Sequence, residues 1–278
     1  MLTLIDESLM NISRIDDRKI EDRLIVALDV ADRAAALELV EKLNGLVAYF
    51  KIGSQLFAAE GPDLVREVSA GARVFLDLKF HDIPNTVAGA VTSACHLGVS
   101  LLNVHGLGGT EMMRAAHRAA AGTWRGNNSS PGVLEAGTGD AGTSTPKVIA
   151  VTVLTSTDEH GLAEIGVAPE VDAEVVRLAA LARDASLDGV VASPREIRII
   201  RERVAAKPFL IVTPGVRPQW AEVGDQKRIS TPGEAISDGA DYIVVGRPIT
   251  ASRDPKAAAA QILEEIAKAE GTSASGNR

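Results

Sequence analysis

The sequence predicts one α/β domain in which eight βα units close into a (β/α)8 TIM barrel. Short runs rich in β-branched residues alternate with Ala-rich helical patterns along the chain, as in repeated βα units around a parallel sheet. Continuous apolar runs such as VIAVTVL and YIVVG are typical of parallel strands covered on both faces. The length of 278 residues fits one barrel, which commonly takes about 250 residues.

Eight segments have the composition of strands. They are Leu24–Val30, Val47–Gly53, Arg73–Lys79, Leu101–His105, Val148–Leu154, Gly189–Ala192, Phe209–Thr213 and Tyr242–Gly246. Helical patterns follow most of them, and those at Arg33–Leu43 and Val171–Ala185 are the clearest. An open doubly wound sheet would show the same local pattern, but eight strands in one compact chain favour closure.

The first and last of the repeated βα units set the expected domain limits. The barrel is predicted to span residues 23–268, with an N-terminal leader at 1–22 and a flexible tail at 269–278. The segment Gly122–Lys147 is rich in Gly, Ser, Thr and Asn, and it predicts a mobile insertion before the fifth strand. Such polar tracts bury too little apolar surface to offset the entropy of ordering them.

Composition excludes several classes of protein. Lys and Arg total 29 against 37 Asp and Glu, and the net charge of -8 does not favour nucleic acid as a partner. The single cysteine, Cys95, cannot form an intramolecular disulfide or build a zinc site by itself. No apolar run has the length of a signal peptide or a membrane span, so we expect a cytoplasmic protein with no membrane partner.

Charged residues stand at the predicted carboxyl ends of several strands, where a barrel builds its active site. The first strand ends in Asp29, the second contains Lys51, the third contains Asp77 and Lys79, and Arg247 follows the eighth. A charge in an apolar strand is costly unless it is paired or solvated. One such charge could belong to a structural ion pair, but five at these ends indicate a functional site.

The third strand has the densest pattern, RVFLDLKFHDIPNTV at residues 73–87. Asp77 and Lys79 are two residues apart, so on a regular strand they project from the same face. Asp82 follows past the strand end, where Ile83-Pro84 forces an extended or turn conformation. We therefore expect a carboxylate, an ammonium and a second carboxylate to converge within a few ångströms.

Several motifs together resemble one known family. The segment FLDLKFHDIPNTV resembles the signature of the orotidine 5'-phosphate decarboxylase family nearly letter for letter. The similarity continues in family order through LIVALDV, KIG, AVTVLTS, VTPGVR, GDQKRI and DYIVVGRPIT. It covers roughly residues 24–265, and the leader, the 122–147 insertion and the tail lie outside it.

The resemblance implies an activity and the residues that perform it. The expected reaction is decarboxylation of orotidine 5'-phosphate to UMP and CO2, the last step of de novo pyrimidine biosynthesis, with no cofactor and no metal. Lys79 would donate the proton to C6 of the pyrimidine, and Asp77 and Asp82 would flank it. The protein would be a homodimer in which Asp82 reaches into the active site of the partner subunit.

The resemblance also implies the residues that bind the nucleotide. Asp29 and Lys51 would hold the ribose hydroxyls, with Thr86 contributed by the partner subunit. Thr155 would face the pyrimidine. The residues that would hold the phosphate, or order a loop over it, are Arg217, Gln226, Gly246 and Arg247.

Three other functions fit the sequence less well. A Mg²⁺-dependent hexulose-phosphate synthase or keto-sugar-phosphate decarboxylase would resemble the D-x-K-x-x-D strand, but HDIPNTV, TPGVR and GDQ match the orotidine enzyme better. A non-catalytic phosphate sensor would be expected to have lost one of the three charged residues. A metallohydrolase is disfavoured because the five histidines form no H-E-x-x-H motif.

Overall fold

The computed structural model describes residues 19–127, 145–204, 208–220 and 230–275. Eight parallel strands form a closed barrel in chain order, and the last strand pairs with the first. The predicted (β/α)8 barrel is confirmed, and closure excludes the open doubly wound sheet.

The strands are short and the helices lie between them in sequence. The strands are β1 (Leu24–Ala27), β2 (Tyr49–Gly53), β3 (Arg73–Phe80), β4 (Leu101–His105), β5 (Lys147–Val151), β6 (Gly189–Val191), β7 (Leu210–Thr213) and β8 (Tyr242–Val245). The helices are α1 (Ile20–Arg23), α2 (Arg33–Leu43), α3 (Ser54–Ser69), α4 (Pro84–Cys95), α5 (Gly109–Asn127), α6 (Glu159–Glu164), α7 (Val171–Asp184), α8 (Ile197–Arg203), α9 (Pro232–Ser237), α10 (Arg247–Thr250) and α11 (Pro255–Ser275). Two short 3₁₀ turns occur at Gly106–Gly108 and Pro194–Glu196.

All eight predicted strands are present, but four of them end earlier than predicted, β6 and β8 by a single residue. β1 ends at Ala27 and β5 ends at Val151, each three residues before the predicted end. Parallel hydrogen bonding continues for one further residue at both strand ends, since the backbone N–H groups of Leu28 and Thr152 still donate to the neighbouring strand. In β5 the apolar run continues beyond the last hydrogen-bonded residue because Val153 lines a cavity above the barrel. The sequence does not show where the residues stop pairing in the sheet and begin to line the cavity.

Two apolar layers stabilise the barrel. The layer inside it consists of Ile25, Ala27, Tyr49, Phe75, Leu101, Ile149, Leu210, Val212, Tyr242 and Val244. A larger layer between the strands and the helices includes Leu24 and Val26 from β1 and Leu39 and Leu43 from α2. Successive residues of β1 thus point alternately into the barrel and toward the helices, as the pleat of a strand requires.

Parts of the predicted insertion and tail lie in regular helices and strands. Residues 122–127 complete α5, because the Ala-rich run before them favours helix enough to absorb the cost of two glycines, about 1 kcal/mol each. Lys147 already belongs to β5. The predicted tail is helical as far as Ser275. Residues 128–144 and 276–278 lie outside the described residues.

The predicted leader likewise overlaps the barrel. The helix α1 begins at Ile20, and Arg23 Nε donates to Glu270 Oε1 of α11 at 2.7 Å. Asp22 is paired with Arg73 at the start of β3. The two ends of the described chain therefore meet at the amino-terminal face of the barrel, and residues 1–18 lie outside the described residues. Among the helices that are described, none is both long and apolar enough to span a bilayer.

Candidate functional site

A cavity of about 340 Å³ opens at the carboxyl ends of the strands. Eight of the eleven predicted site residues line it. They are Asp29, Lys51, Asp77, Lys79, Thr155, Arg217, Gly246 and Arg247. This is the end of the barrel at which barrel enzymes build their active sites.

The floor of the cavity is apolar. It is formed by residues of the inner layer and by the ends of β5 and β6, namely Ala27, Phe75, Val151, Val191 and Val244. Phe75 is almost completely buried beneath the charged groups. Charges just above an apolar floor interact through a lower dielectric than charges in water, so their positions matter more.

Four charged side chains of alternating sign form a row along one wall. Lys51 Nζ lies 3.1 Å from Asp29 Oδ1 and 3.3 Å from Asp77 Oδ2. Lys79 Nζ donates to Asp77 Oδ1 at 2.6 Å. Lys51 thus lies between two carboxylates. Lys79 stands at the end of the row and has one carboxylate partner among its members.

Strand register places this row. Lys51 of β2 is opposite Ala27 of β1, and Asp77 of β3 is opposite Gly53 of β2. A Cβ atom at Gly53 would lie 3.1 Å from the Lys51 ammonium, which is tighter than a normal contact. Glycine at position 53 therefore leaves the room in which Lys51 reaches both of its carboxylate partners.

The third strand is irregular where its charged residues stand. From Leu76 to Phe80, β3 advances four residues while β4 advances only two, from Leu102 to Val104. Within this bulge Lys79 has a φ of 53°, in the left-handed region that L-residues with side chains rarely adopt. Bulges of this kind often redirect a side chain next to an active site.

The predicted pairing of Asp77 with Lys79 occurs, but by a different geometry. The sequence predicts that they meet because alternate residues of a regular strand share a face. In the structure they meet because the bulge turns Lys79 back toward Asp77. One sequence pattern therefore led to the right contact, although the strand is not regular there.

Asn103 is a site residue that the sequence analysis missed. It lies on β4 with only 1% of its surface exposed. Its Nδ2 donates to Asp77 Oδ1 at 2.7 Å, and its Oδ1 accepts from the Lys79 backbone N–H at 2.8 Å. The available signal was a lone amide in the apolar run LLNVH, at a position that faces the interior of the barrel.

The surroundings of Asp77 favour its ionised form. Burial by itself would raise the pKa of this carboxyl, but the Lys51 and Lys79 ammoniums, with hydrogen bonds from Lys79 and Asn103, hold the pKa below its usual value. Asp77 is therefore a carboxylate at neutral pH although it is largely buried.

The other side of the cavity can hold an anion. Arg247 is the first residue of α10, and Arg217 is largely buried with its backbone N–H bonded to Ser230. Gly246 precedes Arg247, and a Cβ there would lie 3.5 Å from the Asp29 carboxylate. Gln226, the remaining predicted phosphate residue, lies outside the described residues.

Within the described ranges no three His, Cys, Asp or Glu side chains group in a way that could hold a metal ion.

Asp82 and Thr86 do not line the cavity of their own chain. Both are exposed, and Asp82 Oδ1 accepts a hydrogen bond at 2.6 Å from the backbone of Ile83. The convergence of Asp82 with Asp77 and Lys79 is therefore absent within one chain. The reason is that the strand ends at Phe80, and the exposed segment 81–86 leads away into α4.

Comparison with known proteins gives consistent matches over the barrel. The model of the orotidine 5'-phosphate decarboxylase / HUMPS family matches residues 22–262. A relative named orotidine 5'-phosphate decarboxylase from Syntrophotalea carbinolica is 52% identical over 248 residues, which cover 89% of this chain and 96% of the relative. One of the same name from Moorella thermoacetica is 51% identical, with 88% and 92% covered.

Two solved structures have the same fold. The crystal structure of orotidine 5'-phosphate decarboxylase from Lactobacillus acidophilus matches with a TM-score of 0.74 and 35% identity, over 88% of this chain and 99% of that one. An uncharacterized conserved protein from Geobacillus kaustophilus matches with a TM-score of 0.72 and 36% identity, over 87% and 99% of the two chains.

Proposed function

Because the chain belongs to the orotidine 5'-phosphate decarboxylase / HUMPS family, we propose that it decarboxylates orotidine 5'-phosphate to UMP and CO2. The observation that supports this most directly is the row Asp29–Lys51–Asp77–Lys79, which ends with an ammonium at the cavity. The reaction would be the last step of de novo pyrimidine biosynthesis, and it would need no cofactor.

The chemistry explains why a lysine should stand there. Loss of CO2 from C6 leaves a carbanion in the plane of the pyrimidine ring, where the π system cannot delocalise it. Enzymes usually supply an electron sink from a cofactor. A fixed ammonium beside C6 stabilises the developing charge by electrostatics and then delivers the proton that completes UMP. Lys79, whose side chain lines the cavity, is proposed for both roles.

One lysine does not account for the whole rate enhancement. A unit pair about 4 Å apart gains roughly 4 kcal/mol at an effective dielectric of 20. Enzymes lower activation barriers by about 8–23 kcal/mol. The remainder is assigned to contacts with the phosphate, which can orient the ring and exclude water although they are remote from C6.

Asp77 is proposed to orient Lys79. Its Oδ1 accepts from Lys79 and its Oδ2 faces Lys51 at 3.3 Å. Both carboxylate oxygens thus face cations. This arrangement favours a role for Asp77 in holding the ammoniums in place over a role in repelling the substrate carboxylate.

The remaining lining residues are assigned to the other parts of the nucleotide. Asp29 and Lys51 are proposed to bind the ribose hydroxyls, and Thr155 the pyrimidine. Arg217, Arg247 and the backbone at Gly246 would bind the phosphate, with Gln226 from the segment outside the described residues. Charged hydrogen bonds to phosphate contribute about 1.5–3 kcal/mol each.

A homodimer is proposed to complete each site. Asp82 and Thr86 are exposed in the chain that bears them, and the Ile83 side chain between them is 66% exposed. A large apolar side chain at such a position is favourable when a second subunit covers it. The segment 81–86 would then supply Asp82 and Thr86 to the cavity of the partner.

The Mg²⁺-dependent sugar-phosphate enzymes remain the alternative. The description of the matching family, orotidine 5'-phosphate decarboxylase / HUMPS, is not limited to the orotidine enzyme. Relatives about half identical to this chain are named for the orotidine activity, and they favour the first function. The test is the loss of orotate absorbance when the purified protein meets orotidine 5'-phosphate with excess EDTA. Turnover that requires Mg²⁺, or turnover of a hexulose phosphate alone, would reject the proposal.

Replacement of Lys79 tests the mechanism. We expect Lys79→Ala to lower kcat by at least about 100-fold, since general acid catalysis is typically worth 10²–10⁴-fold. Lys42→Ala is the matched control, because Lys42 is an exposed lysine paired with Glu38 on α2. A Lys79→Ala enzyme that keeps more than about a hundredth of the parent kcat would show that Lys79 is not the proton donor.

A further inference from the structure

The bulge in β3 creates a problem for the backbone at Lys79. Since β3 advances four residues from Leu76 to Phe80 while β4 advances two, the regular ladder between the two strands is interrupted there. Lys79 in addition has a positive φ. A buried N–H without a partner is costly, and a left-handed conformation persists only where its surroundings hold it.

Asn103 supplies the missing partner. The Lys79 backbone N–H donates to Asn103 Oδ1 at 2.8 Å. The N–H can only donate, so the oxygen of the amide must face it and the Nδ2 group must point the other way. That group donates to Asp77 Oδ1 at 2.7 Å, the same oxygen that accepts from the Lys79 ammonium.

We propose that Asn103 is a positioning residue, whose amide fixes both the Lys79 backbone and the Asp77 carboxylate so that the Lys79 ammonium faces the reacting carbon. This inference rests on the proposed decarboxylation. Asn103 is not among the residues that line the cavity, so it acts through Asp77 and Lys79 and does not touch the substrate.

Burial makes the amide rigid. Asn103 lies between Leu102 and Val104 on β4, both fully buried, and is itself 1% exposed. It cannot exchange its two hydrogen bonds for bonds to water, and buried hydrogen bonds are stronger electrostatically than those in water. The same bond helps to keep the pKa of Asp77 low, so the loss of Asn103 should raise that pKa.

Two substitutions test the two bonds. Asn103→Asp keeps an oxygen for the Lys79 N–H but replaces the amide donor with a second carboxyl group, which raises the pKa of a neighbouring carboxylate, whereas Asn103→Ala loses both bonds. Thr152→Val is the matched control. It also removes a buried hydrogen bond within the barrel, from Thr152 Oγ1 to the Val191 carbonyl at 3.0 Å, but it leaves Asp77 and Lys79 intact.

The first measurement compares catalysis with binding. Since misplacement of a catalytic group by about 1 Å can cost 10²-fold, we expect kcat to fall by about 100-fold in both variants. The Kd for UMP should stay within about threefold of the parent, because Asn103 does not line the cavity. Thr152→Val should keep kcat within about threefold of the parent.

The second measurement needs no substrate. The Asp77 carboxyl carbon can be titrated by ¹³C NMR, with Asp77→Asn to assign its resonance. Loss of the donated bond disfavours the carboxylate, so the midpoint should move to higher pH in both variants and stay unchanged in Thr152→Val. The acidic limb of the kcat profile should move the same way, since activity that needs ionised Asp77 is then lost at a higher pH as the solution is acidified.

The outcomes separate this inference from the proposed function. A parent enzyme that does not turn over orotidine 5'-phosphate rejects the proposed function, and the NMR midpoints then decide alone whether Asn103 controls Asp77. An active parent whose Asn103 variants keep kcat within threefold, or lose UMP binding as much as kcat, rejects the positioning role. If neither variant folds, Asn103 is a structural residue and the positioning role is rejected as well.

Discussion

Individual residues at this site depend on their charged neighbours. Lys51 is nearly buried, and a buried ammonium is tolerated only where carboxylates offset its desolvation. Asp29, just past the end of β1, and Asp77 on β3 do so. Removal of any member leaves the next one uncompensated, so the effects of single substitutions in this row should not be additive.

Arg247 offers the sharpest test of the phosphate site. If it binds the phosphate, Arg247→Ala should lower kcat/KM for orotidine 5'-phosphate by about 10- to 150-fold, which corresponds to one charged hydrogen bond of about 1.5–3 kcal/mol. For orotidine, which lacks the phosphate, the same substitution should have little effect. Arg253→Ala makes the same change of charge at an exposed position and should leave both substrates unaffected. Equal losses on both substrates would show that Arg247 does not contact the phosphate.

Among the elements, α1 and α11 close the amino-terminal face of the barrel. Arg23 is almost fully buried and donates both to Glu270 and to the carbonyl of Asp241. The Glu270 side chain is partly exposed, so the pair is screened more than one buried at both ends. The contact gives the end of α11 a structural role that its composition does not suggest.

Glu270→Ala is therefore expected to lower the free energy of unfolding by about 1–3 kcal/mol, because it removes a charged hydrogen bond to a buried arginine. Denaturant unfolding measures this loss, and kcat should not change because the pair lies at the opposite end of the barrel from the cavity. Glu38→Ala removes an exposed helical pair with Lys42 and should cost less than about 0.5 kcal/mol. A Glu270→Ala protein as stable as the parent would mean that the bond between Glu270 and Arg23 adds nothing to the stability of the fold.

Elements were predictable from sequence to the extent that their patterns are local. Eight apolar runs indicated the strands because each one faces other apolar groups on both sides. The bulge in β3 left no such trace, since it depends on the register with β4. The role of Asn103 was missed for the same reason, because its two partners lie 24 and 26 residues away in sequence. The helical tail was missed because its composition is polar and its contact with Arg23 is long-range.

At the scale of the whole molecule, the net charge of -8 contrasts with the cavity. Four cations line the cavity against two carboxylates in the described residues, namely Lys51, Lys79, Arg217 and Arg247 against Asp29 and Asp77. A local excess of positive charge can attract a small anion although the protein as a whole is acidic. The cavity therefore suits a phosphorylated carboxylate better than the composition alone would indicate.

The proposed dimer can be tested directly, because it requires that two chains share each site. Lys79→Ala and Asp82→Asn are prepared separately, shown to be nearly inactive, then dissociated and reassociated in equal amounts. In a shared site, each mixed dimer has one cavity that combines the intact Lys79 of one chain with the intact Asp82 of the other. Random reassortment makes about half of the dimers mixed, so roughly a quarter of all sites should recover activity.

Exchange of subunits must be verified independently, for example by mass spectrometry of differently labelled chains. Arg253→Ala mixed with Lys79→Ala is the matched control, since both chains then have Asp82 and activity should follow the fraction of intact Lys79 alone. If each cavity used the Asp82 of its own chain, no combination of the two inactive variants would place both intact residues in one cavity. Activity would then stay at the level of the separate variants, and the exposed position of Asp82 would need another explanation than a partner subunit.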